Sequence, residues 1–182
     1  NVALNADGSM QGSLEGKYSG YDEVSARYLH REHPNASHWK DFFAEEGYGE
    51  VAIDSVKLEN EQDLDKAFYE QFHFQMNEVA QLGGDMMYVR PVIYSGFNEA
   101  IFKKESRLFP IDIPYPFKEQ FVLNLQLPDG YTVEELPENA RVTLNDNGGE
   151  FNFLISQPDP QTIQVVSKIQ IRQLVYQEEE YS

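Results

Sequence analysis

The 182-residue chain contains no cysteine, and that absence removes disulfides, zinc–thiolate sites and thiol nucleophiles together. Positive charge is scarce as well, with 14 Lys and Arg set against 31 Asp and Glu for a formal charge of -17. The few basic residues do not cluster, which excludes a role on the backbone of DNA or RNA or on an anionic lipid surface. The acidity reads as a solvated surface. No apolar run approaches ~18 residues and no charged-then-apolar leader is present, so no membrane insertion is expected and no export signal is visible. The chain starts at Asn1 without methionine, as an excised fragment would. What is present suffices for folding: hydrophobic residues make up 41% and aromatics 13%, enough for one good core or two small ones.

The clearest local signal runs from Arg107 to Pro137. Phe121, Leu123, Leu125 and Leu127 fall on one face of a strand and Gln120, Asn124 and Gln126 on the other, the pattern of a half-buried antiparallel strand. Pro110, Pro114 and Pro116 confine Phe109 to Phe117 to an extended sheet edge, because each lacks an amide donor. Pro128-Asp129-Gly130 ends the strand in a turn, and Tyr131 and Val133 begin another extended run.

These residues, Arg107-Leu108-Phe109-Pro110-Ile111, Leu127-Pro128-Asp129-Gly130-Tyr131 and Glu134-Glu135-Leu136-Pro137, resemble a known family. It is the C-terminal domain of unknown function of bacterial, Bacteroides-type transglutaminase-like proteins, a β-rich module that follows a papain-like cysteine core. The resemblance extends back to Gly20 and Asn60. It implies that Glu180-Tyr181 opens a last helix, that the catalytic cysteine of the parent lies outside this chain, and that the parent is exported to the periplasm or cell surface. No catalytic residue carries over.

Taken in order, Val2 and Leu4, then Asp7-Gly8, then Met10 to Tyr18 predict a β-hairpin. After Gly20 the period becomes helical. Tyr21, Val24 and Tyr28, with Ala26 and Leu29 alongside, predict an amphipathic helix that ends near His33-Pro34. Asn35 is a plausible N-cap for a second helix with Ala36, Trp39 and Phe43 on one face, closed by Gly47. The two helices should pack as a pair over a sheet. Val51 to Leu58 predicts a strand with a bulge at Asp54-Ser55, and Glu59 to Asp65 a loop. Phe68, Phe72, Phe74 and Met76 predict a strand with one aromatic face, and Gly83-Gly84 a return into Met86 to Val89, covered on both faces.

Ser95 to Ser106 reads as a connector. Further strands follow, with Val142 and Leu144 inward, then Phe151, Phe153 and Ile155, then Ile163, Val165, Ile169 and Ile171, joined by turns at Asn145 to Gly149 and at Pro158-Asp159-Pro160. The expected fold is α+β and mainly β: antiparallel, sandwich-like sheets with a pair of short helices near the N-terminus. Residues 1–106 form an α+β domain and 107–182 an all-β domain, or the two make one continuous β structure.

Motifs with chemistry are sparse. His30-Arg31-Glu32-His33, with His38 nearby, matches neither zinc-protease spacing, and the histidines read as exposed helix-end residues favoured by the dipole. Asn145-Asp146-Asn147-Gly148 lacks calcium-loop spacing and reads as a hairpin turn. Asn35-Ala36-Ser37 meets the glycosylation consensus, although Asn35 already has a capping role. Acid pairs such as Glu45-Glu46 are uninformative among so many carboxylates. Trp39, Tyr21 and Tyr28 would form a ligand-stacking platform if they faced outward, and a core face otherwise.

The expectation is therefore a chain that is not an enzyme, with no catalytic residues, cofactor or metal. It would be an accessory module bracing or positioning an upstream transglutaminase-like core in the same chain. The alternatives are a glycan- or peptide-binding adhesion module and a carboxylate-based hydrolase.

Overall fold

Alternation, turn chemistry and two short helical periods give a mainly β α+β fold with both helices near the N-terminus. In the computed structural model, residues 1–90, 92–94 and 108–177 are described. The expected connector at 95–106, Arg107, Pro91 and the 178–182 ending with Glu180-Tyr181 lie outside them. The chain forms two compact units, one of Asn1–Arg90 with Leu125–Tyr131 and the other of Pro91–Asn124 with Thr132–Ser182.

In the first unit, β1 (Val2–Leu4) and β2 (Met10–Tyr18) form the expected antiparallel hairpin, with Val2 opposite Gly12. The Asp7 carboxylate locks its turn by accepting from the Ser9 N–H at 2.9 Å and the Ser9 hydroxyl at 2.6 Å. Two helices follow, α1 (Tyr21–Glu32) and α2 (Ser37–Glu45), separated by a single 3-10 turn at Pro34–Ala36. Asn35 is not an N-cap. It sits inside that turn at φ 58, followed by Ala36 at φ 57, because the chain must reverse sharply after Pro34 before α2 can begin.

Next come β3 (Val51–Glu59) and β4 (Phe68–Met76). β3 carries the expected irregularity between Asp54 and Lys57, with Ser55 at φ 53. β4 pairs with β3 on one side and along all of β2 on the other, from Met10–Met76 to Tyr18–Phe68. Beyond β1, Val2 pairs with Leu125 and Ala3 with Gln126 in parallel. The 120–127 strand was expected to be antiparallel, and towards β1 its end at Leu125 and Gln126 is parallel instead. Side-chain alternation reports which face is buried and is blind to the direction of the partner.

α1 lies on β2 and β4 and α2 on β3. α2 turns Trp39 and Phe43 inward as expected. α1 does the reverse of its apolar pattern: Ala26 and His30 are buried, whereas Tyr21, Val24, Tyr28 and Leu29 are exposed. The physical reason is the inward polar face. The Arg27 guanidinium pairs with Glu23 and donates to the carbonyls of Asn60 (3.0 Å), Asp63 (2.8 Å) and Lys66 (2.9 Å), so it ties down the loop that precedes β4. Finally β5 (Ala80–Gly83) and β6 (Met86–Val89) make a separate two-stranded ribbon whose Met86 and Tyr88 are exposed, against the expectation of a strand covered on both faces. A ribbon without a further layer leaves alternate side chains in solvent.

The second unit contains β7 (Ile111–Asp112), β8 (Phe117–Gln126, its last two residues counted with the first unit), β9 (Ala140–Thr143), β10 (Gly149–Asp159), β11 (Thr162–Ile171) and β12 (Val175–Tyr176). The sheet order is β8-β11-β10-β9, and β7 pairs with β12 apart from it. Ile155, Ile163 and Val165 are buried with Leu123. Val142 and Leu144 are exposed rather than inward: Val142 lies on β9, a short strand at the end of the sheet order beside β10, and Leu144 just beyond it. Tyr131 and Val133 belong to no strand. A 3-10 turn at Asn145–Asn147, with Asp146 at φ 52, joins β9 to β10, in keeping with a hairpin turn.

Candidate functional site

The inward row of β4 reads Phe68, Glu70, Phe72, Phe74, Met76, so strand alternation drives one carboxylate into an aromatic face. Glu70 is 3% exposed. Burial of a lone carboxylate is severely unfavourable, so its partners decide whether this arrangement is tolerable. Three donors converge on it. The Tyr18 hydroxyl donates to Oε1, and His30 Nε2 (2.6 Å) and Trp39 Nε1 (3.0 Å) donate to Oε2. Each donor comes from a different element: the end of β2, the last turn of α1 and the first turn of α2.

Gly16 makes the room. It lies opposite Glu70 in the β2–β4 register, and a Cβ there would stand 2.8 Å from both Glu70 Oε1 and the Tyr18 hydroxyl. Burial, the largest influence on Glu70, pushes its carboxyl up. Hydrogen bonds from His30, Tyr18 and Trp39, with the charge of His30, outweigh it and hold the group below the usual carboxylate range. An ionised carboxylate only accepts, so His30 Nε2 carries the proton of that contact.

His38, on the first turn of α2, packs edge-on against His30 with ring centroids 4.9 Å apart, and His33 lies 5.9 Å from His38. Burial, followed by the neighbouring His30, pushes His38 down to about 4. Its Nδ1 is buried and meets no hydrogen-bond partner among the described residues, an arrangement that ordinarily costs about 1–3 kcal/mol. One ligating atom each from His30, His38 and Glu70 falls within 4.8 Å of the others. The centre can therefore share a proton between carboxylate and imidazole, or hold a cation among three ligands.

The histidine run was expected to be exposed at a helix end. His30 is instead 7% exposed, because α1 turns its polar face to the sheet, and His38 is half-buried on α2, packed edge-on against the His30 ring. Of the three candidate stacking residues, Trp39 is 7% exposed and packs against Phe43 and Phe72 at 5.6 Å from each. Tyr21 and Tyr28, at 65% and 54%, lie on the opposite, outward side of α1, with the Arg31 guanidinium 5.3 Å over the Tyr28 ring. The three rings do not form one surface. Sequence reading missed Glu70, although a signal existed: it has the same parity as Phe68, Phe72, Phe74 and Met76, so it had to point inward with them.

The chain is thus a mainly β α+β protein whose first unit is centred on a buried Glu–His–Trp–Tyr cluster. More particularly, the family model described as Domain of Unknown Function with solved-structure structure (DUF3858) matches residues 85–182, more than half of the chain, and the chain belongs to that family. Comparisons with curated proteins and with solved structures found no match.

Proposed function

We propose that this chain is a non-catalytic accessory module that braces or positions a papain-like, transglutaminase-like core elsewhere in the same exported bacterial protein, in the periplasm or at the cell surface. The observation that carries the reading is the resemblance of Leu127-Pro128-Asp129-Gly130-Tyr131 and Leu136-Pro137 to the module that follows such cores, and these residues fall within the segment 85–182 that the family of unknown function matches. It is consistent with the first unit, where Glu70, His30, Trp39 and Tyr18 are spent on one another inside the core. The chain alone should show no amidase, protease or transamidation turnover, and joined to its core it should raise the core's melting temperature. Robust turnover by the isolated chain, or a core indifferent to its presence, contradicts the reading.

A second reading, a glycan- or peptide-binding module, is favoured by the outward Tyr21 and Tyr28 rings on one helix face. With Trp39 buried, its test is a glycan and peptide panel against the chain and its Tyr21→Ala/Tyr28→Ala variant. Binding that the variant loses supports this reading, and a flat response removes it.

A further inference from the structure

We propose that His30, His38 and Glu70 form a zinc-type metal site that clamps α1, α2 and β4 together. Three observations carry it. First, the donor set, two imidazoles and a carboxylate, is one that divalent zinc accepts, and one ligating atom from each residue lies within 4.8 Å of the others. Zinc at its usual bond lengths would hold those atoms roughly 3.3 Å apart. Seating the ion would open the 2.6 Å His30 Nε2–Glu70 Oε2 pair and draw the ligating atoms that stand farther apart, up to 4.8 Å, towards that spacing.

Second, His38 Nδ1 is a buried ring nitrogen without a partner among the described residues. Buried orphan acceptors are rare in native proteins and commonly mark an ion or water that completes them. Third, the remaining groups match what a metal ligand's surroundings need. The Tyr18 hydroxyl, from β2, and Trp39 Nε1, next to His38 on α2, fix the Glu70 carboxylate, as the outer partners of ligating groups do. The metal would take the place of the proton between His30 Nε2 and Glu70, and that proton leaves to solvent. His38 is only half-buried, so the ion has a way in. The site's burial and its spread over two helices and a strand make it a structural staple. It stands independently of the accessory-module reading, because its test does not involve a core.

Cobalt(II) chloride titrated into the chelator-treated full chain distinguishes this site from the acidic surface. Exposed carboxylates give the pale spectrum of hydrated octahedral cobalt, whereas a low-coordinate His–His–Glu site gives intense visible bands that saturate at one equivalent and vanish when zinc is added. His38→Gln should keep the far-ultraviolet circular dichroism of the parent and weaken zinc binding by about 100-fold or more. His33→Gln should keep both the bands and the affinity. Absence of intense bands at one equivalent overturns the proposal, as do bands that survive in a folded His38→Gln variant or disappear in His33→Gln.

Discussion

Glu70 shows how one residue inverts the reading of its neighbours. An acid in an otherwise aromatic row is tolerable only with donors on every side, and those donors fix where α1 and α2 sit. Glu70→Ala leaves the buried His30 and Trp39 and the half-buried Tyr18 without this acceptor and should cost about 3–5 kcal/mol, read from urea midpoints. Tyr18→Phe removes one donor while keeping the ring and should cost about 1–2 kcal/mol. In chelator-treated protein the pH dependence follows from His38 and Glu70. His38 falls from 6.5 to about 4 in the folded chain. Between those values the unfolded chain binds a proton that the folded chain refuses, so stability fully present above pH 6.5 drains away as pH falls towards 4. Glu70, held below its ordinary 4.5, adds a loss in the same direction at lower pH. Urea midpoints across this range should therefore fall with acid, and His38→Gln should flatten the slope between pH 6.5 and 4. An unchanged slope in the variant would show that His38 takes up its proton as readily in the folded chain as in the unfolded one.

At the scale of elements, the strands were more legible than the helix faces. β2, β4 and the bulge of β3 follow from turn residues and alternation that act locally, and α2 buries the Trp39–Phe43 face its period announces. α1 misleads because a periodicity argument assumes that apolar surface decides orientation. Here Arg27 satisfies loop carbonyls and His30 satisfies a carboxylate forty residues away, and neither need is visible along the helix. The same limit applies to the partner of the 120–127 strand, whose parallel neighbour β1 is more than a hundred residues distant. Two substitutions probe these elements. Gly16→Ala drives a methyl against Glu70 and Tyr18 and should destabilise by about 1–3 kcal/mol through overpacking, with the hydrogen bond from the Tyr18 hydroxyl to Glu70 breaking first. Arg27→Ala leaves the carbonyls of Asn60, Asp63 and Lys66 without their donor and should cost about 2–3 kcal/mol. Hydrogen exchange should rise across residues 60–67 before it rises elsewhere, and an even rise would mean that the loop does not depend on α1.

For the whole molecule, charge gives the most direct expectation about partners. At -17 and without a basic cluster, the chain should pass heparin or a DNA column unretained even at low salt, and salt-dependent retention would contradict the expectation that it has no nucleic-acid partner. Among the described residues no helix is long and apolar enough to cross a membrane. Family membership covers residues 85–182, whereas the buried polar cluster lies wholly in the unit of Asn1–Arg90 with Leu125–Tyr131. The most specific feature of the molecule therefore lies outside the segment that defines its family, and it is the feature on which the first unit is built. Because Trp39 is the single tryptophan, its indole N–H gives one unambiguous amide-type resonance. If Glu70 is an ionised, buried acceptor, that resonance lies downfield of free indole, resists hydrogen exchange, and loses both properties in Glu70→Ala. An indole N–H in the parent chain that exchanges as fast as a solvent-exposed one would contradict the account.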